Sequence, residues 1–259
     1  MFLVDSHCHI DDLDYKKLHL NVNDVLDKAK KKNVHAILAV SISLEKFKKF
    51  ILVDTLCSKV WYSCGIHPLY CSNDNSILEL EKFANNRKVI AIGETGLDYY
   101  HHRKNVNLQK KFFRQHIRTA LKLNKPLIVH TRNSSSDVLK ILKEEKAHIC
   151  KGVIHSFTES KSIAKKFLDM NFFISFSGIT TFKNAQHLLE VVKFIPIERM
   201  LIETDSPYLT PVPYRGRENQ PAYLYNIANY LSKIKNMNLN IFSAITTKNF
   251  YRLFFKHNK

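Results

Sequence analysis

Two histidines one residue apart near the amino terminus are the first side chains in this sequence that could do chemistry. His7 and His9 follow a short apolar run, and alternate side chains of a β-strand share one face. If residues 2–5 begin a strand, both imidazoles leave its carboxyl end side by side. Neutral imidazole is the commonest metal ligand in proteins. The spacing therefore indicates half of a metal site.

Further histidines and carboxylates stand at the ends of later apolar runs. They are His67, Glu94, His130, His155 and Asp205. In a parallel barrel the carboxyl ends of the strands meet at one face, where such enzymes carry their chemistry. Apart from His67, the whole set contains four histidines and two carboxylates. These suffice to hold two cations and leave positions open for water and substrate.

The elements that must position these residues alternate regularly along the chain. Apolar runs predict strands over residues 2–5, 34–40, 60–64, 89–93, 127–129, 152–154, 172–176 and 200–202. Amphipathic stretches predict helices over 22–32, 44–56, from 76 onward, 108–121, 138–142, 163–168, 185–192 and 241–255. Alternation favours a parallel sheet, and eight strands favour its closure. We predict an α/β fold, a TIM-type (β/α)8 barrel that forms a single domain over residues 1–259 with an extra C-terminal helix.

An open doubly wound sheet is the alternative fold. It is disfavoured because no Gly-x-Gly-x-x-Gly turn follows the first strand, and because candidate ligands end many strands rather than one switch point.

The net charge of +17, from 40 basic and 23 acidic residues, points to a polyanionic partner such as nucleic acid. The excess is mostly Lys in a sequence also rich in Asn and Ile, so AT-rich coding bias explains it equally well. Five cysteines without a Cys-x-x-Cys pair predict a reduced, cytoplasmic protein. We expect no signal peptide and no membrane association, because no apolar stretch approaches the roughly 20 residues that span a bilayer.

The candidate ligands lie within short motifs distributed over nearly the whole chain. The motifs are Asp5-Ser6-His7-Cys8-His9, Gly65-Ile66-His67-Pro68, Gly93-Glu94-Thr95-Gly96-Leu97-Asp98-Tyr99, Ile128-Val129-His130, Ile154-His155-Ser156-Phe157 and Glu203-Thr204-Asp205-Ser206-Pro207. In order and content this set resembles the TatD-like metal-dependent deoxyribonucleases of the metallo-dependent hydrolase superfamily, most closely the branch typified by YcfH. No ligand position of that pattern is missing.

The resemblance implies a dinuclear metal site. It would place His7, His9 and Asp205 on one cation and His130 and His155 on the other, with Glu94 bridging the two. Two divalent cations in such a site activate a water and polarise a phosphoryl oxygen for in-line attack. Glu94 and Asp205 are therefore the catalytic candidates, with Asp205 as proton acceptor. The ligand types leave zinc, manganese and magnesium open.

The implied substrate is DNA, cleaved at phosphodiester bonds by a 3′-5′ exonuclease acting on single-stranded or frayed ends, and no protein partner can be inferred. Tyr208, Arg215 and Arg217 are candidate substrate contacts, as is the segment 99–103. Bases stack on aromatic rings, and guanidinium groups pair with phosphates. A packed surface loop is the alternative interpretation of these residues.

Two further residues carry weaker expectations. His67 is a candidate phosphate contact, with a capped strand end before Pro68 as the alternative. Glu203 could orient a ligand from behind, or be a satisfied carboxylate of the barrel interior. We do not expect His101 or His102 to be ligands, and the remaining histidines, among them His116, have no supporting context.

Two other functions remain open at this level. The same dinuclear centre could hydrolyse a small ester, amide or lactone, since such sites attack carbonyl groups equally well. The chain could also be a basic nucleic-acid-binding protein with a vestigial site, although its intact ligand set argues against that.

Overall fold

A computed structural model describes residues 1–53, 60–72, 76–101 and 105–255, and in it eight strands form one parallel sheet. Each strand pairs with the next along the chain. The strands are β1 Leu3–Cys8, β2 Val34–Val40, β3 Val60–Cys64, β4 Val89–Asp98, β5 Leu127–Arg132, β6 Gly152–Ile154, β7 Phe172–Phe176 and β8 Met200–Ile202.

Backbone hydrogen bonds connect the last strand to the first. The amide of Asp205, just past β8, donates to the carbonyl of His7 at 2.9 Å, and the amide of His9 donates to Ser206 at 2.8 Å. The sheet therefore closes into a nearly complete barrel, and the predicted (β/α)8 fold is confirmed.

Helices separate the strands and cover the outside of the barrel. In the described ranges they are α1 Val22–Lys30, α2 Leu44–Val53, α3 Leu80–Ala84, α4 Val106–Leu123, α5 Ser135–Glu144, α6 Lys161–Asp169, α7 His187–Phe194, α8 Leu224–Ile234 and α9 Leu239–Phe254. Short 3-10 helices lie at Ile10–Asp12, Pro68–Tyr70, Ser76–Glu79, Gly178–Thr181, Lys183–Ala185, Ile197–Arg199 and Pro221–Tyr223. Within these ranges, no helix is both long enough and apolar enough to cross a membrane.

Three strands extend beyond the apolar runs that predicted them. β1, β4 and β5 continue for three to five residues past the predicted ends, so His7, Glu94 and His130 lie within strands rather than after them. The backbone pairing of β4 with β5 persists through Gly96–His130 and Asp98–Arg132. Apolar patterning missed this because the side chains there are polar and serve the site.

The helices differ from expectation mainly in two places. The segment beginning at Ser76 is a 3-10 helix, and α3 starts only at Leu80. α8 is not among the predicted helices. The end of the predicted helix 44–56 lies outside the described residues.

The terminal helix α9 closes the amino-terminal end of the barrel. Its buried side chains Phe250 and Leu253 belong to one apolar cluster with strand residues such as Val4 and Phe173. Burial of large apolar side chains provides most of the stabilisation at such a contact. The amino-terminal end is thus filled by apolar side chains, and the polar residues lie at the opposite, carboxyl-terminal end.

Candidate metal centre

The six predicted ligands meet at the carboxyl-terminal end of the barrel. Their positions are His7 in β1, His9 directly after it, Glu94 in β4, His130 in β5, His155 directly after β6, and Asp205 past β8. All except His7, which lies fully buried beneath the others, line a cavity of about 420 Å³. Residues that are up to 198 positions apart in the sequence therefore share one site, as the closure of the barrel requires.

Glu94 lies at the centre of the site, with one carboxylate oxygen towards each pair of imidazoles. Its Oε1 lies 2.8 Å from Nε2 of His155 and 3.0 Å from Nδ1 of His130. Its Oε2 lies 3.3 Å from Nε2 of His7 and 3.7 Å from Nε2 of His9. This is the placement that a carboxylate shared by two cations would need.

Asp205 completes the group of donor atoms that includes His7 and His9. Its Oδ1 lies 3.6 Å from Nε2 of His7 and 3.4 Å from Nε2 of His9, and these two nitrogens are 3.2 Å apart. In a tetrahedral site with metal–ligand bonds of about 2.0–2.2 Å, neighbouring ligand atoms are about 3.3–3.6 Å apart. The four donor atoms of His7, His9, Glu94 and Asp205 therefore fit a divalent cation.

Hydrogen bonds behind three imidazoles fix which nitrogen faces the site. Nδ1 of His9 donates to the carbonyl of Val40 at 3.0 Å, which leaves Nε2 unprotonated in the neutral ring. Nδ1 of His155 faces Glu203 Oε1 at 3.3 Å, with the same result. Such partners orient metal-binding histidines and raise their basicity.

The residue behind His130 was not predicted. Nε2 of His130 donates to Oδ2 of Asp98 at 3.2 Å, so Nδ1 is free to face Glu94. Asp98 lies four residues after Glu94 on β4 and belongs to one of the quoted motifs, but no role was assigned to it. Its even spacing from Glu94 was the signal that could have identified it, because alternate residues of a strand share a face.

Asp5 is a second residue whose role was not predicted, and it connects β1 with the segment that follows β8. Its carboxylate accepts hydrogen bonds from the Thr204 amide at 2.9 Å and the Thr204 hydroxyl at 2.6 Å. Burial raises the pKa of Asp5 to about 7 despite these bonds. The contact holds the segment that carries Asp205 beside the strand that carries His7.

The electrostatics of the site favour anionic carboxylates. Burial opposes the charge of Glu94, but the imidazoles of His155 and His130 hold its pKa well below the usual range. Burial likewise opposes the charge of His9, yet its contacts with Asp205 and Glu94 raise the pKa of His9 to about 9. A site that attracts a proton so strongly also attracts a cation, and the two compete for the same nitrogen.

His67 differs from the other imidazoles in its hydrogen bonding. Its Nδ1 accepts a hydrogen bond from the amide of Leu69 at 3.2 Å, so in the neutral ring the proton is on Nε2. Burial lowers the pKa of His67 to about 3, which keeps the ring neutral. Nε2 lies 3.4 Å from Oε1 of Glu94. His67 therefore presents a hydrogen-bond donor to the site instead of a free ligand nitrogen, and its predicted phosphate contact stays a prediction.

Glu203 lies behind His155, and its Oε2 is buried without a hydrogen-bond partner among the described residues, so it is not a fully satisfied carboxylate. It is fully buried, and its Oε1 accepts from the Ser156 amide at 2.6 Å and contacts Nδ1 of His155. It is thus a carboxylate of the barrel interior that also orients an imidazole of the site.

The predicted substrate contacts divide into two groups. Tyr208 lines the cavity, is about half exposed, and has its ring 5.9 Å from that of His9. Arg215 and Arg217 are absent from the described cavity lining: Arg215 stacks on Phe182 at 3.7 Å and donates to a backbone carbonyl of its own loop. The structure therefore brings Tyr208 to the site and engages Arg215 within the loop.

The segment 99–103 is only partly described. Tyr99 donates from its hydroxyl to Asp137 at 2.6 Å, Tyr100 is largely exposed, and His101 lines the cavity. The predicted contacts of His102 and Arg103 lie outside the described residues.

A (β/α)8 barrel with imidazoles and carboxylates gathered at the carboxyl ends of its strands defines a metal-dependent hydrolase. Residues 4–255 match the family model described as TatD related DNase. The chain belongs to this family.

Individual relatives agree with the family assignment. The chain is 56% identical to an "Uncharacterized metal-dependent hydrolase" of Buchnera aphidicola subsp. Baizongia pistaciae, over 98% of this chain and 96% of that protein. It is 46% identical to YcfH of Escherichia coli strain K12, also described as a metal-dependent hydrolase, over 98% and 96% of the two chains. The crystal structure of YjjV, a TatD homologue of Escherichia coli K12, shares the fold with a TM-score of 0.89 at 23% identity, covering 97% of both chains.

Proposed function

We propose that this metal-dependent hydrolase is a deoxyribonuclease that cleaves phosphodiester bonds with two divalent cations, as a 3′-5′ exonuclease. The observation that carries the proposal is the placement of Glu94, with one oxygen beside His130 and His155 and the other beside His7 and His9. The description of the family as DNases supports the choice of substrate. Zinc, manganese and magnesium all suit the donor set.

When bound, two such cations would lower the pKa of a water and polarise a phosphoryl oxygen. Asp205 uses Oδ1 towards His7 and His9, which leaves its second oxygen to accept the proton of the attacking water. We expect the Nε2 proton of His67, which lies 3.4 Å from Oε1 of Glu94, to donate to a phosphoryl oxygen of the substrate. Asp98 and Glu203 keep His130 and His155 in the orientation that leaves one nitrogen free.

The rim of the cavity suits a single-stranded or frayed end. Tyr70 and Tyr208 both line the cavity with about half of their surface exposed. Exposed aromatic rings next to a catalytic site let bases stack without sequence preference. We extend the proposal to a single hydrolase domain over residues 1–259, acting in the cytoplasm.

The test compares substrates under one set of conditions. Protein reconstituted separately with Zn²⁺, Mn²⁺ and Mg²⁺ is incubated with 5′-labelled single-stranded DNA and with a panel of esters, amides and lactones. We expect a ladder of products shortened stepwise from the 3′ end, lost in chelator and in Glu94→Gln. Turnover of the carbonyl substrates alone would reject the nuclease in favour of the small-molecule alternative.

A second pair of variants addresses a vestigial site. We expect His130→Ala and Asp205→Ala to abolish turnover while the protein stays folded. Unchanged properties in both variants would mean that the site is not used, and the protein would then be a nucleic-acid-binding protein only.

A further inference from the structure

Arg132 is a cation at the mouth of the site. It is exposed, lines the same cavity as Glu94 and Asp205, and is the one Lys or Arg among the described lining residues. Among described residues, no carboxylate forms an ion pair with it. A guanidinium group placed beside a hydrolytic centre and left unneutralised is available to an anionic ligand.

The neighbouring carboxylate cannot neutralise Arg132 because its acceptor positions are already used. Asp98 is the register partner of Arg132 on β4. Its Oδ1 accepts from the amides of Tyr100 and His101 at 2.9 and 2.8 Å. Its Oδ2 contacts Nδ1 of His101 and Nε2 of His130 at 2.9 and 3.2 Å. A carboxylate offers about four lone-pair positions, so these four contacts leave none for Arg132.

A stacked ring orients the guanidinium. The Cζ of Arg132 lies 4.9 Å from the centroid of the Tyr100 ring. Stacking on an aromatic face restricts the plane of the guanidinium group while its donors remain free. The pair therefore presents a preorganised fork of donors at the mouth and an exposed ring beside it.

Arg132 lies a short distance along β5 from the proposed metal centre. Arg132 is two residues beyond His130 on the same strand and faces the same cavity. At about 3.3 Å per residue their Cα atoms are about 6.6 Å apart, and as alternate residues of one strand they share a face. A phosphate at the centre and a second one at Arg132 could therefore belong to one nucleic acid chain.

We propose that Arg132 and Tyr100 form a subsite for a second phosphate group, adjacent to the scissile one, in a polynucleotide substrate. The inference rests on the proposed nuclease function and narrows its substrate to chains that carry a phosphate beyond the bond that is cleaved.

The kinetic experiment compares two phosphodiesters that differ in the number of phosphates. Arg132→Gln is measured on a short oligothymidylate and on bis(4-nitrophenyl) phosphate, which has only one phosphate. We expect kcat/KM to fall about 10- to 100-fold on the oligonucleotide, the effect of losing one charge-assisted contact, and to change less than about twofold on the small diester. Arg132→Lys keeps the charge without the planar fork and should recover part of the loss.

Arg87→Gln is the matched control. Arg87 is also exposed, but it precedes β4 and so lies at the opposite end of the barrel. We expect this variant to behave as wild type on both substrates. Equal losses on both substrates with Arg132→Gln, or equal losses from Arg132→Gln and Arg87→Gln, would overturn the subsite.

A binding measurement separates the subsite from the chemistry. Fluorescence anisotropy of labelled oligothymidylate in chelator reports binding without turnover, as a function of salt. Arg132→Gln should weaken binding and reduce the salt slope by roughly 0.7, the value for one phosphate contact on a single strand. Unchanged binding would reject the subsite even if the nuclease is active. If wild type cleaves neither diester, the proposed function fails separately.

Discussion

Replacing Asp98 with Asn tests whether hydrogen bonds behind the imidazoles determine metal affinity. The carboxylate accepts four hydrogen bonds, from the amides of Tyr100 and His101 and from the rings of His101 and His130. An amide oxygen accepts about two hydrogen bonds. The amide NH2 group is itself a donor, so it cannot accept from the remaining two donors. His130 would shift its proton to Nδ1, the nitrogen that faces Glu94 at 3.0 Å.

The expected cost falls on one of the two metal sites that we propose. Loss of an outer partner of a metal-binding histidine typically lowers metal affinity about 10- to 100-fold, which is about 1.4–2.7 kcal/mol. Calorimetric metal titration should show this loss of affinity for the cation that His130 and His155 would bind. The affinity for the cation that His7, His9 and Asp205 would bind should stay within about threefold of wild type.

Asp137→Asn is the matched control for this experiment. Asp137 also accepts a hydrogen bond from a tyrosine of the same segment, Tyr99, but does not contact an imidazole of the site. We expect both metal equivalents to bind it as they bind wild type. Wild-type affinity at both sites in a folded Asp98→Asn protein would refute the reasoning.

Three further predictions concern other parts of the chain. Contacts with Asp205 and Glu94 raise the pKa of His9 to about 9, and contacts with Glu94 and Glu203 raise the pKa of His155 well above its usual value although burial opposes this. Cation binding at pH 7 should therefore release at least one proton, which titration in two buffers of different ionisation enthalpy measures, and the release should decrease as the pH rises through about 9. Burial lowers the pKa of His116 to about 4, below the unfolded value of about 6.5, so its contribution to stability is complete above pH 6.5 and is lost as the pH falls to 4. The loss is about 3 kcal/mol, measurable by urea unfolding at a series of pH values, and a flat profile would contradict it. Phe250→Ala should lower the free energy of unfolding by about 3–5 kcal/mol and leave metal affinity unchanged, because Phe250 packs at the end of the barrel away from the site; an altered metal titration would show that the two ends are coupled.

The sequence predicted the fold best where side chains are apolar on both faces. The bounds of β2, β3, β6, β7 and β8 agree with their apolar runs, because such strands lie between the barrel interior and the outer helices. β4 was predicted to end at Gly93, because its last five residues do not form a continuous apolar run. They include Glu94 and Asp98 of the site, and their backbone pairs with β5. α8 was missed although Leu224, Ile227, Ala228 and Leu231 have the spacing of an apolar helix face.

The same distinction applies to the site. The six candidate ligands could be found because each follows or ends an apolar run, and barrel closure then brings them together. Asp98 and Asp5 act through hydrogen bonds to residues 32 and 199 positions away. The spacing of Asp98 from Glu94 places it on the same face of β4, but no local pattern identifies His130 or Thr204 as the partner. Arginine suits a phosphate contact, so Arg215 was a candidate from its residue type. Its stacking on Phe182 could not be predicted, because it depends on a contact between two loops.

The packing of α9 against the barrel also limits the route of molecules to Glu94. Phe250 and Leu253 fill the amino-terminal end together with inward-facing aliphatic side chains. Any molecule that reaches the carboxylate must come from the rim where Tyr70 and Tyr208 lie. Both fragments left after hydrolysis must depart by the path on which the intact molecule arrived, so a retained fragment would obstruct the next turnover.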